Sequence, residues 1–389
     1  MNKDADSTHS ITSGQASSLQ VKELLTRGVV EVIDRKHLEE RLLSGEKLRI
    51  KLGIDPTSPN IHIGRAVQLW KLRQFQDLGH QVVFIVGDFT GLIGDTSDKE
   101  AERPMLTEEQ VKANLETYFD QAFKILDREK TETHYNSEWL SKLGFIEIAR
   151  MASLYGLHEF ESREVIARRL KEGKRVAVQE LLYPLMQGYD SVAVKADVEL
   201  GGTDQRFNLL AGRTIQPLYG QEPQDILMTE LIEGTDGRKM SSSWGNVINI
   251  TDEPNDMFGK VMSLKDELVK RYFELCTRIP LLEVEEVMKG HPKEVKMHLA
   301  FEITKMYHGE DAAQKAQENF EETFAKGGVP KDLETVKARK DTPLVDVLLE
   351  RGLVSSKTEF NRLSNDGAIN EIERGVYRIG KHTFVKIVE

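Results

Sequence analysis

Two short segments carry the residue types from which phosphate chemistry can be built. His62-Ile63-Gly64-Arg65 places an imidazole, a residue without a side chain and a guanidinium where an extended run gives way to a helix. The first turn of a helix leaves backbone N–H groups without intrahelical partners at the positive end of the helix dipole, which suits an anionic phosphate. Gly64 lets a nucleotide approach the backbone with no Cβ in the way. Taken alone, a histidine there is more often a cap or a packing residue. The second segment is Gly237-Arg238-Lys239-Met240-Ser241-Ser242-Ser243. Its lysine and three hydroxyls could close over phosphates and release them, although in isolation it is a polar loop with a serine cap. The pair says more than either member. Each follows an expected strand of one α/β domain, and open parallel sheets bind ligands at the carboxyl ends of their strands.

The elements that must hold these groups follow from periodicity. Residues 19–43 have apolar positions at helical spacing, including Val32 and Ile33, broken near Gly28. Residues 48–54 alternate at period two and stop at Asp55-Pro56-Thr57, where proline removes a donor and restricts the residue before it. A helix over about 64–78 and an apolar strand over 82–86 complete a βαβ unit whose second strand reads as buried on both faces. Further strands are expected at 197–201 and 225–232, with a helix over about 204–218 between them. Residues 100–195 read as a mostly helical, charged insertion, in which the run 163–171 is a solvated helix face. Short amphipathic helices follow to about 325, then a linker over 326–342 opening with Lys-Gly-Gly-Val-Pro, and a last compact unit of two helices and short strands over 343–389.

Composition sets the outer limits. The chain has 389 residues, 39% hydrophobic and 30% charged, enough for two or three domains at about 150 residues each. A net charge of −11 argues against indiscriminate coating of nucleic acid. From Lys331 onward 11 basic residues meet 10 acidic ones, leaving 42 against 54 before it, so the acidity lies in the front of the chain. No apolar run reaches the roughly 18 residues that span a bilayer, and the polar residues 1–18 read as a mobile tail without a secretory pattern. Cys276 has no partner for an intrachain disulfide, which suits a reducing cytoplasm.

With these residues in view, the chain resembles the class I aminoacyl-tRNA synthetases, specifically the bacterial type that charges tyrosine. His62–Arg65 resembles the family's HIGH signature and Lys239–Ser243 its KMSKS signature. Gly91-Leu92-Ile93-Gly94-Asp95, Tyr183-Pro184-Leu185-Met186-Gln187-Gly188-Tyr189-Asp190 and Gly201-Gly202-Thr203-Asp204-Gln205 look like three further family segments, in family order. The implied fold is α/β: a Rossmann-like parallel-sheet catalytic domain over 19–247 with its helical insertion, an α-helical anticodon-binding domain over 248–325 and a small α+β RNA-binding domain over 343–389. The implied reaction joins L-tyrosine to tRNA(Tyr), with ATP and Mg2+ as the substrate pair, no resident metal and no permanently bound cofactor. A cytoplasmic homodimer without membrane attachment is implied as well.

By the same resemblance, His62, Lys239, Thr57 and Arg65 carry the chemistry. Asp55, Gly64, Gly202, Asp204, Lys239, Met240, Ser241, Ser242 and Ser243 hold ATP. Asp95, Tyr183 and Gln187 take the α-ammonium, Asp190 accepts the phenolic hydroxyl, Gln205 faces the carboxylate and Asp55 lines both subsites. Tyr183, Gln187 and Asp190 at i, i+4 and i+7 share one helix face. Lys357, Arg362, Lys381 and Lys386 are the phosphate contacts of the last domain, which resembles a small RNA-binding module of a ribosomal protein. The chain departs from the family at three places. Arg65 replaces the second signature histidine. Ser242 replaces the second signature lysine, a deficit that Arg238 or a monovalent cation would make up. Lys51 or a neighbour stands where many relatives place a second tyrosine-sensing Tyr. The alternatives are a tryptophanyl-tRNA synthetase, a nucleotidylyltransferase, or a non-catalytic RNA-binding relative.

Overall fold

The computed structural model describes residues 16–95, 106–325, 334–338, 342–354, 356–373, 375–380 and 383–388. Most of the expected tail, and Lys381, lie outside them. One compact unit comprises the described residues up to Glu233 with Lys239–Thr251 and Glu274–Cys276. The other comprises Gly234–Arg238, Asp252–Phe273 and the described residues from Thr277 on. This partition differs from a boundary at 247, because a five-residue hairpin tip leaves the first unit and the signature segment after it returns.

The first unit is built on a six-stranded sheet of β1 (Val29–Ile33), β2 (Arg49–Ile54), β3 (Gln81–Val86), β4 (Thr131–Tyr135), β5 (Val198–Gly202) and β6 (Asp225–Thr229). Their order is β1-β6-β5-β2-β3-β4, parallel throughout except for β1, which runs antiparallel to β6. β3, β5 and β6 are almost wholly buried, as in a sheet covered on both faces; β3 does so with an apolar run, whereas β5 and β6 bury the polar Glu199, Asp225 and Thr229 as well. The helix Ile63–Asp77 crosses over from β2 to β3 and buries Ile63, Ala66, Val67, Leu69, Leu72 and Phe75.

Several expectations need correction. Val32 and Ile33 belong to strand β1, between the helices Ser18–Leu24 and Arg35–Ser44. Their β-branched Val-Val-Glu-Val-Ile context prevails over the helical spacing. Ser18 begins a helix capped by Ser17, so the tail stops short of it. The strand expected to reach 232 ends at Thr229. The insertion contains β4, an edge strand of sequence TETHY that no apolar run announces. In the charged run, Arg169 is not solvated. It is 1% exposed and pairs with the buried Glu180 at 2.6 Å.

In the second unit, helices run from Pro254–Met262 to Glu310–Ala325. A four-stranded sheet follows, β7 (Glu334–Lys337), β8 (Ile369–Glu373), β9 (Val376–Ile379) and β10 (Thr383–Val388), in the order β7-β10-β9-β8. β7 falls inside the stretch expected to be linker and pairs parallel with β10. Helices Leu344–Glu350 and Lys357–Asn365 pack on this sheet around Val347, Leu348, Val354 and Val385. Among the described residues no helix is long and apolar enough to cross a membrane.

Candidate active site

Five parallel strands end on one edge of the sheet, and the chemistry-bearing side chains lie just past those ends. Beyond β2 stand Asp55 and Thr57; beyond β3, Thr90 and Asp95; beyond β4, Asn136 and Trp139; beyond β5, Asp204 and Gln205; beyond β6, the Lys239 segment.

At the nucleotide end, His62 caps the helix Ile63–Asp77 with its Nδ1 accepting from the Arg65 N–H at 3.4 Å. Burial, aided by the Arg65 and Lys239 charges, lowers its pKa to about 3. The ring is therefore neutral, and because Nδ1 accepts, the proton sits on Nε2 as a donor. The space at Gly64 serves this ring, since a Cβ there would stand 3.0 Å from His62 Nδ1 and 3.0 Å from Ile232. The glycine thus admits the imidazole before it admits any nucleotide.

The Lys239 segment runs directly beside the His62 loop. Ile63 N donates to Ile248 O at 2.8 Å, Ile250 N donates to Ile61 O at 2.9 Å, His62 and Asn249 form an antiparallel bridge, and Ser58 and Ser242 hydroxyls meet at 3.2 Å. Asn246, which the sequence reading missed, pins the turn by accepting from Ser241 N and donating to Lys239 O. Met240 is buried, and Ser243 lies in the turn Ser242–Trp244. Lys239 Nζ reaches Asp204 Oδ2 at 2.8 Å. Gly202 is required there, because a Cβ would meet Asp204 Oδ1 at 2.6 Å and Leu231 at 2.8 Å.

Arg65 turns back onto the loop after β2, donating to Thr57 Oγ1 at 2.8 Å, Asp55 O at 3.2 Å and Tyr118 Oη at 2.5 Å. It braces Thr57 as well as adding positive charge. Tyr118, fully buried, was not foreseen. Arg238 is held by Asp236 through Nε at 2.7 Å, in an exposed pair.

At the opposite end, the helix Val178–Val194 aligns Tyr183, Gln187 and Asp190. Tyr183 Oη donates to Asp55 Oδ2 at 2.8 Å, and Thr90 Oγ1 donates to Asp55 Oδ1 at 2.7 Å. Burial raises Asp55 to about 6 against the pull of those two bonds. Burial and the negative charges of Asp55, Asp95 and Asp190 push the Tyr183 phenol well above its usual range, which marks a pocket of negative potential suited to an ammonium group. Gln205 Nε2 donates to Asp95 Oδ2 at 2.6 Å, and buried Asn208 donates to the same carboxylate. Gln187 does not join Asp95, because its amide donates to Glu199 at 3.1 Å. Asp190 is 4% exposed and accepts from Trp139 Nε1 at 2.7 Å and Asn136 Nδ2 at 3.2 Å. Burial lifts it to about 7, opposed by Lys51, Trp139 and Asn136.

Lys51 does not take up a substrate-sensing position. Fully buried, it donates to Glu199 Oε1 at 2.8 Å, Gln187 O at 2.9 Å and Ser191 Oγ at 2.8 Å. In the second unit, Lys357 pairs with Asp346 at 3.1 Å, Arg362 approaches Glu359 at 3.9 Å, and Lys386 is exposed on β10. Among the described residues one His/carboxylate group has metal-ligand spacing, Asp34, His37 and Asp225, and Arg41 and Arg213 stand 4.0 and 3.8 Å from Asp225. It lies at the other end of β6 from the Lys239 segment.

A parallel sheet with a signature histidine and a signature lysine on adjoining loops past the carboxyl ends of β2 and β6 defines a class I aminoacyl-tRNA synthetase. Residues 43–325 match the family of class I tRNA synthetases for tryptophan and tyrosine. The chain is 47% identical to the tyrosine–tRNA ligase of Thermotoga maritima, over 95% of this chain and 97% of that one. It is 51% identical to the corresponding enzyme of Nitratidesulfovibrio vulgaris, over 90% of each. Its fold is shared with an Archaeoglobus fulgidus tyrosyl-tRNA synthetase complexed with L-tyrosine, at a TM-score of 0.62 and 22% identity over 77% of this chain and 99% of that one. A C-terminally truncated mitochondrial tyrosyl-tRNA synthetase of Aspergillus nidulans gives a TM-score of 0.66 at 22% identity, over 78% and 94%. The chain belongs to the bacterial-type tyrosine–tRNA ligases.

Proposed function

We propose that the two ends of this cleft hold L-tyrosine and Mg·ATP for two successive acyl transfers. In the first, a tyrosine carboxylate oxygen attacks the α-phosphorus, the bond to the β-phosphate breaks and pyrophosphate leaves. In the second, a hydroxyl of the tRNA's terminal adenosine attacks the tyrosyl carbonyl and AMP leaves. No protein group becomes a covalent nucleophile. The protein's work is alignment and stabilisation of charge growing on the phosphates. His62 supplies a neutral Nε2–H donor, Thr57 a hydroxyl braced by Arg65, and Lys239 an ammonium that leaves Asp204 for the triphosphate and frees that carboxylate for the ribose. Gly64, Ser241 and Ser242 line the same end. Magnesium, which supplies charge neutralisation, arrives with the nucleotide.

Asp95, Tyr183 and Asp55 receive the α-ammonium, with Gln187 available once it leaves Glu199, and Gln205 faces the carboxylate. Asp190 accepts a hydrogen bond from the phenolic hydroxyl; phenylalanine would leave that buried acceptor without a donor, and tryptophan offers no phenol for it. Exposed Phe145, Ile146, Leu157 and Val178, 62–83% accessible, form apolar surface suited to pairing with a second copy. Residues 248–325 would meet the anticodon region, and Lys357, Arg362, Lys381 and Lys386 would contact tRNA phosphates, in a cytoplasmic enzyme.

The observation that carries this reading is the backbone ladder joining the His62 loop to the segment after Lys239, with Lys239 on Asp204. ATP–pyrophosphate exchange with each amino acid supplied singly tests it. Exchange is expected with tyrosine alone. Exchange with tryptophan only would move the chain to the neighbouring specificity, and none at all would leave a non-catalytic relative.

A further inference from the structure

We propose that Trp244, in the turn that follows the Lys239 signature, is a stacking platform for a base of the unpaired 3′ strand of the tRNA as its terminal adenosine enters the cleft. The inference rests on the ligase reading above and adds to it an RNA contact outside the signature segments and outside the last domain.

The turn decides where the indole goes. Trp244 N donates to Ser241 O at 3.0 Å and Gly245 N to Ser242 O at 3.3 Å, which closes one tight helical turn over Ser242–Trp244. With three residues per turn, positions 242 and 244 leave the axis about 120° apart. Ser242 faces the loop after β2. Ser58 donates its own hydroxyl proton to Asn60 O at 3.0 Å, so it accepts from the Ser242 hydroxyl at 3.2 Å. Trp244 therefore leaves the turn on another side, where it is 52% exposed. The segment is not free to rotate and bury the ring. Asn246 ties Ser241 N to Lys239 O, and Ile248 and Ile250 are laddered to Ile63 and Ile61.

A single exposed apolar side chain is ordinary on a protein surface, so its place and surroundings carry the argument. Two residues span at most about 7 Å, which puts the indole at the rim of the cleft end that holds Thr57, His62 and Lys239. From Lys239 to Thr251 no residue is acidic, in a chain with 64 acidic against 53 basic residues. The segment therefore sets no carboxylate of its own against an approaching phosphate strand. Aromatic rings hold unpaired nucleotides by stacking, because every base has a π face. Two nucleotides meet this cleft, and the tRNA end fits the rim better than ATP does. ATP phosphates belong between His62 and Lys239, on the side of the turn that Ser242 faces. The 3′ strand has to cross the rim to bring its terminal hydroxyl to the tyrosyl carbonyl.

The test uses the full chain as wild type, Trp244→Phe, Trp244→Leu and Trp244→Ala, in two assays. One is tyrosine-dependent ATP–pyrophosphate exchange without tRNA. The other is equilibrium binding of tRNA(Tyr), either intact or trimmed of its unpaired 3′ nucleotides. Trp244→Leu keeps apolar bulk and loses the π face; it and Trp244→Ala are expected to bind intact tRNA about tenfold more weakly than wild type. Trp244→Phe keeps a ring and should lose no more than about threefold. All four proteins should bind trimmed tRNA alike, and their exchange rates and KM values for ATP and tyrosine should agree within about twofold. Wild-type affinity of the Leu and Ala variants for intact tRNA would overturn the inference, and so would an equal loss on trimmed tRNA, which would seat the indole elsewhere on the RNA. A raised KM for ATP with tRNA affinity unchanged would overturn it in favour of the adenine of ATP. Each of these outcomes leaves the ligase reading intact, whereas a wild type without tyrosine-dependent exchange would overturn that reading and this inference with it.

Discussion

The two ends of the cleft are built in different ways. The nucleotide end is made of backbone loops, a neutral histidine, glycines whose absent side chains make room, and cations in reach of solvent. The tyrosine end is a buried polar network in which Lys51, Glu199, Gln187, Ser191, Asp190, Asn136, Trp139, Thr90 and Asp55 satisfy one another. The first kind of site needs flexibility, because phosphates arrive and depart. The second needs rigidity, because telling one hydroxyl from none depends on a buried acceptor that cannot relax.

The largest effects should separate the two ends by what they damage. Lys51→Ala leaves Glu199 buried without its cation and should cost about 3–5 kcal/mol of folding stability, read by urea denaturation. A Lys51→Met, Glu199→Gln double variant should recover much of that loss. A cost below about 1 kcal/mol would break the picture of a tightly coupled network. Lys239→Ala should leave stability unchanged and lower kcat for adenylate formation by about 10²–10³, with the KM for tyrosine within about twofold. A comparable rise in the tyrosine KM would erase the functional division.

The pH dependence of stability should take opposite signs at the two ends. His62 has its folded pKa lowered to about 3 from 6.5, so its contribution is present above 6.5 and is lost as pH falls from 6.5 toward 3. Asp55 and Asp190 have folded values raised from 3.8 to about 6 and about 7, so their contribution is present below 3.8 and is lost as pH rises through those values. Each group sets a slope of up to about 1.4 kcal/mol per pH unit in its window. Denaturation series on His62→Asn and Asp190→Asn should change the profile in opposite directions between pH 4 and 6.5. Changes of the same sign would contradict the assignment.

The smallest effect concerns the missing signature lysine. With Arg238 already paired to Asp236, Arg238→Ala should lower exchange by less than about threefold, with or without potassium. A large loss confined to potassium-free buffer would restore Arg238 as the substitute for the lysine absent at Ser242.

The same contrast explains what could be read from the chain. The nucleotide end is local: His62 to Arg65 and Lys239 to Ser243 are contiguous, and the strands that carry them alternate or run apolar as their burial demands. Even there, Asn246 was hidden, because nothing in its type marks it as the pin of a loop. The tyrosine end is assembled from β2, β3, β4, β5 and a distant helix. Its Tyr183, Gln187 and Asp190 were found through helical spacing and family resemblance, whereas Asn136 and Trp139 were missed because the edge strand before them was missed. Thr-Glu-Thr-His-Tyr has one covered neighbour and no apolar signature. Had β4 been recognised, the rule that ligands sit at the carboxyl ends of parallel strands would have led straight to residue 136. Lys51 was legible only as a departure from the family pattern, because nothing local to a charged residue in a central strand announces its buried counterion.

The most direct test of the central claim is a crystal structure of the chain with tyrosine and a non-hydrolysable ATP analogue. The account predicts His62 Nε2 and Lys239 Nζ within hydrogen-bonding distance of one triphosphate, Lys239 released from Asp204, and the phenolic oxygen on Asp190. An analogue contacted by only one of the two signatures, or a phenol seated away from Asp190, would contradict it.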